Sequence, residues 1–309
     1  MALPISEVKA LPGARLFHKG AHASWLKARR SGIGGSDVAA LLGLSPWATP
    51  FTLWESKVME PKPITSEAMT WGTVLEEPIA EEWARRHHFS LVRCPEGTIF
   101  QSKKYPLALA SPDALTEKLD AWVEIKAVGA HASSDWTDDE IPPYYYAQAQ
   151  WEAFVSGLDT VYVAALIGGQ TLRSYVVPAD NKWATETYEK AEEFWNTYVT
   201  TRIAPPVDDT EATKKALSSI YPPVPETVVE GGQELGMLIA EYNDAIDLEK
   251  RAKSQKTLAQ NKILALLGGA SIGTIDDIPV VKYATVHKES YTVPASDYPR
   301  LTLVKQGKA

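Results

Sequence analysis

The segment from residue 121 to residue 128 constrains this chain most, because it is an apolar run that carries two charges. It reads Ala-Trp-Val-Glu-Ile-Lys-Ala-Val and predicts one strand of a mostly buried sheet. Side chains alternate along a strand, so Glu124 and Lys126 share one face while Ile125 points to the other. Burying a carboxylate and an ammonium is costly without a function or a good partner. The strand therefore marks a candidate functional site.

A second carboxylate precedes this strand, in Ser111-Pro112-Asp113-Ala114. If Asp113 and Glu124 converge at a strand end, they offer the hard oxygen ligands that suit Mg²⁺ or Mn²⁺. Such a cation can hold a water nucleophile and stabilise charge on a phosphoryl oxygen. Lys126 can orient or deprotonate that water, or neutralise the transition state. The pattern predicts phosphodiester hydrolysis, and a plain structural ion pair is the alternative interpretation.

Composition narrows the class of protein. The chain has 309 residues and a formal net charge of −8, which argues against non-specific coating of nucleic acid but permits a local basic cleft. Cys94 is the only cysteine, so an internal disulfide and a four-cysteine metal site are excluded. No apolar run reaches the ~18 residues of a membrane helix, and no secretory signal is predicted. We expect a cytoplasmic protein without membrane association.

Two proline-rich stretches, 204–206 and 221–225, predict how the chain is divided, since clustered prolines favour extended linkers. Residues 1–203 predict a mixed α/β domain, and residues 204–232 predict a linker. Residues 233–309 predict a long helix to residue 267 and then short strands to residue 293. This last part shows no evident chemistry.

A glycine-rich turn, Gly34-Gly35-Ser36, leads into a predicted helix. Backbone N–H groups at a helix start favour an anion, and glycine lets a ligand approach the backbone closely. Arg29 can add a bidentate, charge-assisted bond to a phosphate. The alternative is that Ser36 or Asp37 only caps the helix and that Arg29 is a surface charge.

Glu76 lies two residues before Pro78 in a second helical stretch. Proline is tolerated in the first turn of a helix but disturbs its interior, so we expect a helix that begins near Glu77. Glu76 would then lie near a helix start, either as an ordinary capping acid or facing a metal.

The spacing of Asp113, Glu124, Ile125 and Lys126 resembles the core of the PD-(D/E)xK nucleases. Further segments, in the same order along the chain, resemble the lambda-exonuclease or YqaJ-type viral recombinase branch: 25–29, 32–37, 72–76 and 146–150. The resemblance implies a mixed central β-sheet flanked by helices, to which this chain adds a C-terminal helical arm and a small β extension. It covers residues 20–200, approximately, and says little about the rest.

The resemblance also implies an activity. It implies a 5′→3′ exonuclease on linear double-stranded DNA that leaves a 3′ single strand for phage-type homologous recombination. A ring-shaped trimer, a single-strand annealing partner and the cytoplasm of a bacterial host carrying the phage or prophage are implied as well. An inactive DNA-binding or assembly module, or an endonuclease on the same fold, is the alternative function.

Site residues follow from the same resemblance. It implies Mg²⁺, with Mn²⁺ as the alternative, held by Asp113, Glu124 and the backbone carbonyl of Ile125. The remaining roles it implies are Lys126 as the catalytic lysine, Glu76 on the metal through water, Gln148 at the active site or substrate end, and Arg29, Ser36 and Gly35 on the DNA 5′ phosphate.

Overall fold

The computed structural model describes residues 8, 10–60, 66–94, 97–287, 295 and 301. The chain divides into two compact units, and the boundary falls between Ile220 and Tyr221. In the described part, no helix is long and apolar enough to span a bilayer.

The secondary structure of the first unit is mixed. Its helices are α1 (His22–Arg29), α2 (Gly35–Leu41), α3 (Pro50–Val58), α4 (Glu67–His87), α5 (Pro143–Ser156), α6 (Asn181–Phe194) and α7 (Glu211–Ile220). Its strands are β1 (Ala14–His18), β2 (Leu91–Arg93), β3 (Ile99–Ser102), β4 (Leu109–Ala110), β5 (Ala114–Thr116), β6 (Trp122–Val128), β7 (Thr160–Ile167) and β8 (Thr171–Pro178).

The central sheet has five strands in the order β2-β5-β6-β7-β8. Strand β6 pairs antiparallel with β5 and parallel with β7, and β7 and β8 form an antiparallel hairpin. A smaller antiparallel sheet joins β1, β3 and β4. The predicted mixed sheet flanked by helices is therefore confirmed.

Helices cover both faces of the central sheet. Val123 and Ile125 pack with Ile79 and Trp83 of α4 in one core cluster. Trp122 of the same strand packs in the other cluster, with residues of α5. The alternation along β6 thus sends Ile125 toward α4 and leaves the Glu124 side toward α5.

Helix α4 corrects one prediction, because it runs unbroken from Glu67 to His87 with Pro78 inside it. Ser66 caps its start by accepting a hydrogen bond from the backbone of Met69. Proline costs one helical hydrogen bond, and the buried packing of Ile79 and Trp83 that follows it offsets this loss. The predicted start near Glu77 was wrong, and Glu76 lies in mid-helix.

The predicted linker 204–232 is also corrected, because it contains α7. Thr213 and Ala216 of α7 are buried, and Thr213 Oγ1 lies 2.9 Å from Thr49 Oγ1, the N-cap of α3. This packing places α7 within the first unit. The proline-rich stretches on either side of α7 led to the prediction of a linker where the chain forms a short amphipathic helix.

The second unit consists, as far as it is described, of α8 (Gly232–Leu267) and an antiparallel hairpin of β9 (Ile272–Ile275) and β10 (Ile278–Lys282). The predicted helical arm and small β extension are confirmed. Strands expected between 288 and 293 lie outside the described residues.

Candidate active site

Glu124 and Lys126 lie on the face of β6 that looks toward α5. Lys126 Nζ donates a 2.6 Å hydrogen bond to Glu124 Oε1. The Glu124 residue is only 4% exposed, and among the described residues its Oε2 has no hydrogen-bond partner. One oxygen of this buried carboxylate is therefore held by the lysine, and the other remains available to a cation or a water.

Asp113 lies between β4 and β5 and is tied to the same strand. Its Oδ2 accepts a 2.7 Å hydrogen bond from the backbone N–H of Ile125. Burial raises the pKa of the Asp113 carboxyl well above its ordinary value, and the nearby charge of Glu124 raises it further. The structure thus brings together the two carboxylates that the sequence singled out, at the cost of mutual repulsion.

Gln148 of α5 connects the charged groups. Its Oε1 accepts from Lys126 Nζ at 3.1 Å, and its Nε2 donates to Glu124 Oε1 at 2.6 Å. Nε2 also donates to Glu152 Oε1 at 2.8 Å. An amide NH₂ carries two hydrogens, so this network uses both. Of the two glutamines in the predicted motif, Gln148 reaches the site, whereas Gln150 bonds to the backbone of Pro178 and Asp180.

Glu152 was not among the predicted site residues. It is 1% exposed, and its Oε2 has no partner among the described residues. Burial raises the pKa of the Glu152 carboxyl well above its ordinary value, with a further contribution from the charge of Glu124. The available signal was the apolar surroundings of this acid on α5, where Ala149, Trp151 and Ala153 predict a helix buried on most sides.

Lys126 is held as a cation by its surroundings. Burial opposes its charge, but the carboxylates of Glu124 and Asp113 outweigh burial and raise the pKa of the Lys126 ammonium. Its Nζ also lies 4.9 Å from the centre of the Tyr145 ring, a cation–π distance. Tyr145 is thus an aromatic ring that contacts the site.

Glu76 lies at the edge of this cluster on α4. Arg93 Nη2 donates a 2.9 Å hydrogen bond to Glu76 Oε1. Burial raises the pKa of the Glu76 carboxyl, while Arg93 lowers it, and the charges of Glu124 and Lys126 are near enough to contribute. The structure shows Arg93 as the direct partner of Glu76.

Arg29 and Ser36 are hydrogen-bonded to each other and line a cavity together with Asp113 and Glu124. Arg29 Nη2 donates a 2.8 Å hydrogen bond to Ser36 Oγ, and its guanidinium lies 4.8 Å from the Trp25 ring centre. The Arg29 side chain is 31% exposed, so it is held in place but accessible. The loop prediction thus has a geometric basis in these two side chains.

The N-terminus of α2 is capped by a side chain of the helix itself, that of Asp37. Asp37 Oδ2 accepts from the Gly34 backbone N–H at 2.8 Å and from the buried Lys57 Nζ at 2.6 Å. Burial opposes the charge of Asp37, but Lys57 and then Arg29 outweigh it and lower the pKa of the carboxyl. The capping alternative therefore describes Asp37, with Gly34 as the N-cap residue. Lys57, which neutralises this acid, had not been predicted.

One cavity of about 200 Å³ is lined both by predicted metal ligands and by residues predicted to bind the 5′ phosphate. Gly35 forms part of its wall, and a Cβ atom at Gly35 would lie 2.9 Å from Glu152 Oε1 and 3.3 Å from Gln148 Cγ. Its lining combines the two predicted groups: Arg29, Gly35 and Ser36 with Asp113, Glu124, Gln148 and Glu152.

The donor set suits a hard divalent cation. No group of three or more His, Cys, Asp or Glu side chains that could hold a metal occurs among the described residues. Mg²⁺ does not require such a group, since it usually keeps several waters and takes one or two carboxylates plus substrate phosphate oxygens. The free, buried Oε2 of Glu124 beside Asp113 fits that mode of binding.

Part of this chain matches a known protein family. Residues 24–159 match the YqaJ-like viral recombinase domain family. The chain is 34% identical over 202 residues to the uncharacterized protein YqaJ of Bacillus subtilis (strain 168), in an alignment that covers 64% of this chain. It spans 62% of the length of that relative.

Two solved structures are similar to parts of this chain. The alkaline exonuclease LHK-Exo from Laribacter hongkongensis is 16% identical with a TM-score of 0.48, and the match covers 64% of this chain and 99% of that one. A phage related exonuclease from Haemophilus somnus 129PT is 10% identical with a TM-score of 0.43, covering 55% and 96% respectively. The predicted resemblance is confirmed: residues 24–159, within the first unit, match the YqaJ-like viral recombinase domain, and the chain is homologous to YqaJ.

Proposed function

We propose that this protein is a divalent-metal-dependent exonuclease that acts on the ends of linear double-stranded DNA. One observation carries the proposal: Asp113 and Glu124 line the same cavity as Arg29 and Ser36. The first pair offers hard oxygen ligands, and the second offers donors for a phosphate. A terminal phosphate on one group would bring a neighbouring phosphodiester toward the other, so the enzyme would degrade from the 5′ end and leave a 3′ strand.

Asp113, Glu124 and the Ile125 carbonyl would hold the cation, with Glu76 contributing through water. We propose Mg²⁺, with Mn²⁺ as the alternative. When bound, such a cation activates water as a nucleophile and stabilises the charge that develops on the phosphoryl group. The mutual repulsion of the two buried carboxylates supports this assignment, because a divalent cation would relieve it.

Lys126 would provide positive charge at the reacting phosphate. Its Nζ already donates to Glu124 and Gln148 as an ammonium, so we assign it to orienting the attacking water and stabilising the transition state. Gln148 holds this lysine and Glu124 in one network, which is the arrangement that a preorganised site requires.

Glu152 would act as a positioning residue. Its Oε1 accepts one N–H of Gln148 and, with Glu124 Oε1 on the other N–H, orients the amide so that its oxygen faces Lys126. Oε1 of Glu152 also lies against Gly35 in the loop that carries Ser36. Glu152 would therefore link the loop that carries Ser36 to Lys126 through Gln148.

Arg29 and Ser36 would recognise the 5′ phosphate. The guanidinium is fixed by Trp25 and Ser36 and keeps donors for an anion. Asp37 Oδ1 lies 3.7 Å from Arg29 Nη2, and Lys57 pairs with Oδ2 of the same acid, so Lys57 reduces how far the acid offsets the attraction of Arg29 for phosphate.

The wider setting of this activity is part of the proposal. By its resemblance to the family, the chain would form a ring-shaped trimer around DNA and supply 3′ strands to a single-strand annealing protein. Recombination of phage or prophage DNA in the cytoplasm of a bacterial host would be its context.

A digestion of linear duplex DNA with a 5′ phosphate tests this proposal. We expect Mg²⁺-dependent release of mononucleotides from a 5′ label before a 3′ label, inhibition by EDTA, and no attack on covalently closed circles. Binding without hydrolysis would favour the inactive assembly module, and cleavage of closed circles would favour the endonuclease.

A further inference from the structure

Helix α8 exposes a seam that is apolar at both ends of the helix. None of its residues is buried in the described chain. The seam positions are spaced alternately four and three residues apart from Leu235 to Leu267, as core positions of a coiled coil are, and six of the ten are apolar. The seam positions are Leu235, Ile239, Tyr242, Ile246, Glu249, Lys253, Lys256, Gln260, Ile263 and Leu267.

The seam has a second row beside it that is apolar in every heptad. This row consists of Leu238, Ala245, Ala252, Ala259 and Leu266. Its three central members are alanines, which let another helix approach closely, and its two outer members are leucines. At the ends of α8 both rows are apolar, and only in the middle is the seam charged.

The charges of α8 are segregated along its axis. All its acidic residues, Glu234, Glu241, Asp244, Asp247 and Glu249, come before residue 250, and all its basic residues, Lys250, Arg251, Lys253, Lys256 and Lys262, come from 250 onward. The helix macrodipole favours acids only in the first turn and bases only in the last. A helix divided in this way is complementary to a second copy of itself that runs in the opposite direction.

We propose that α8 is a self-association surface that pairs antiparallel with α8 of a second copy of this chain. A two-fold axis near residue 251 matches every seam position with a seam position of the other copy. Leu235 then meets Leu267, Ile239 meets Ile263, and Glu249 meets Lys253. In the second row, Ala252 meets Ala252 of the other copy, close to the axis.

The charged centre of the seam selects this direction. In a parallel pair in register, Glu249, Lys253 and Lys256 would each face the same residue of the other copy, and like charges in a seam are unfavourable. In the antiparallel pair Glu249 faces Lys253 twice, and the Lys256 stem can cover Ile246 while its ammonium reaches solvent. Lys250 faces Lys250 of the other copy on the solvent-exposed side of the pair, where salt screens the repulsion between the two.

Disulfide trapping in the full-length protein tests the direction. We expect Ala252→Cys to give a covalent dimer on oxidation. Leu238→Cys and Leu266→Cys should each stay uncrosslinked alone but form a crosslinked pair when mixed. Wild-type protein, with its buried Cys94, controls for unrelated disulfides. A covalent dimer from Leu238→Cys alone would mean a parallel pair, and no crosslink in any sample would mean a different partner; either result overturns the proposal.

A charge swap tests the centre of the seam. Glu249→Lys and Lys253→Glu each place like charges opposite each other, so each should raise the dissociation constant of α8 pairing at least about tenfold. The double swap restores both pairs and should restore association, as measured by sedimentation equilibrium. Unchanged association in both single variants would contradict the proposal.

Self-association through α8 does not depend on the proposed exonuclease activity. The seam lies outside residues 24–159, and each chain offers one α8. Pairing of α8 helices would link the chains in twos, in addition to any assembly that the first unit forms.

Discussion

Gln148 Nε2 donates a 2.8 Å hydrogen bond to Glu152 Oε1, one helical turn further along α5. Together with the 2.6 Å bond from the same Nε2 to Glu124 Oε1, that bond decides which way the Gln148 amide faces, because a carboxylate oxygen accepts only from the NH₂ side. The amide oxygen is thereby left for Lys126.

Replacing Glu152 should slow hydrolysis more than it weakens DNA binding. Glu152→Met removes the acceptor at similar volume, and we expect kcat to fall about 10- to 100-fold, as for other residues that orient a ligand indirectly. Glu152→Gln keeps an acceptor and should restore most of the rate. Single-turnover kinetics with 5′-phosphorylated duplex would measure both.

A matched control lies on the same helix. Gln150→Leu also removes hydrogen bonds of a buried side chain, but these go to the backbone of Pro178 and Asp180. It should lower the melting temperature without lowering kcat in the folded fraction. If Glu152→Met slowed a Gln148→Ala enzyme further, Glu152 would not act through Gln148.

Lys126→Ala should nearly abolish hydrolysis and leave metal binding largely intact. Removing one preorganised donor of this kind costs about 10² to 10³ in rate, whereas Asp113 and Glu124 keep their oxygens. Product release in rapid quench and Mn²⁺ binding by calorimetry check the two halves separately. Full activity of the variant would refute the role given to Lys126.

Arg29→Ala should remove the preference for phosphorylated ends. A hydrogen bond to a charged group contributes about 1.5–3 kcal/mol, so we expect the ratio of rates on 5′-phosphate and 5′-hydroxyl duplex to fall at least about tenfold. Lys27→Ala, an exposed cation on the same helix α1, is the control. Equal losses on both ends would contradict phosphate recognition by Arg29.

Gly35→Ala should impair catalysis although it adds one methyl group. The new Cβ would lie 2.9 Å from Glu152 Oε1, so the Glu152–Gln148 bond must shift. Gly129→Ala adds a methyl group where no such atom lies within 4 Å and is the control. Comparable rates for the two variants would show that the contact at Gly35 is unimportant.

Lys57→Met should destabilise the first unit, because it leaves the carboxylate of Asp37 without its buried cation. Breaking such a pair costs about 3–5 kcal/mol, which urea denaturation would measure. Adding Asp37→Asn should recover part of this loss. A single variant as stable as wild type would show that the pair contributes little.

Lowering the pH should weaken the ion pair between Asp37 and Lys57. The pKa of Asp37 is lowered in the folded state, so its stabilisation is present above the ordinary value of 3.8 and is lost as pH falls through the lower folded value. The dependence of unfolding on pH below 3.8 should therefore be weaker in the double variant than in wild type.

Local patterns in the sequence were enough to predict several elements and residues. Alternation along segment 121–128 predicted that Glu124 and Lys126 share one face of β6, and the glycine-rich turn at residues 34–36 predicted the helix α2 that begins there. These features depend on neighbours in sequence. They needed no knowledge of distant contacts.

Other features depended on contacts between distant segments. Pro78 is accommodated because the residues after it pack on the sheet, and α7 is held by a contact with Thr49. Glu152 and Lys57 each have a partner that no local pattern reveals. Buried polar residues of this kind are recognised only once the segments around them are assembled.

The interior position of β6 has a consequence for folding fidelity. A slip of one residue against β5 and β7 would exchange the two faces of the strand. Ile125 would then enter the cavity, and both charges would be forced among Ile79 and Trp83. Pairing on both edges makes such an isomer costly, so misregistered chains should be rare, and those that do form should be inert rather than wrongly active.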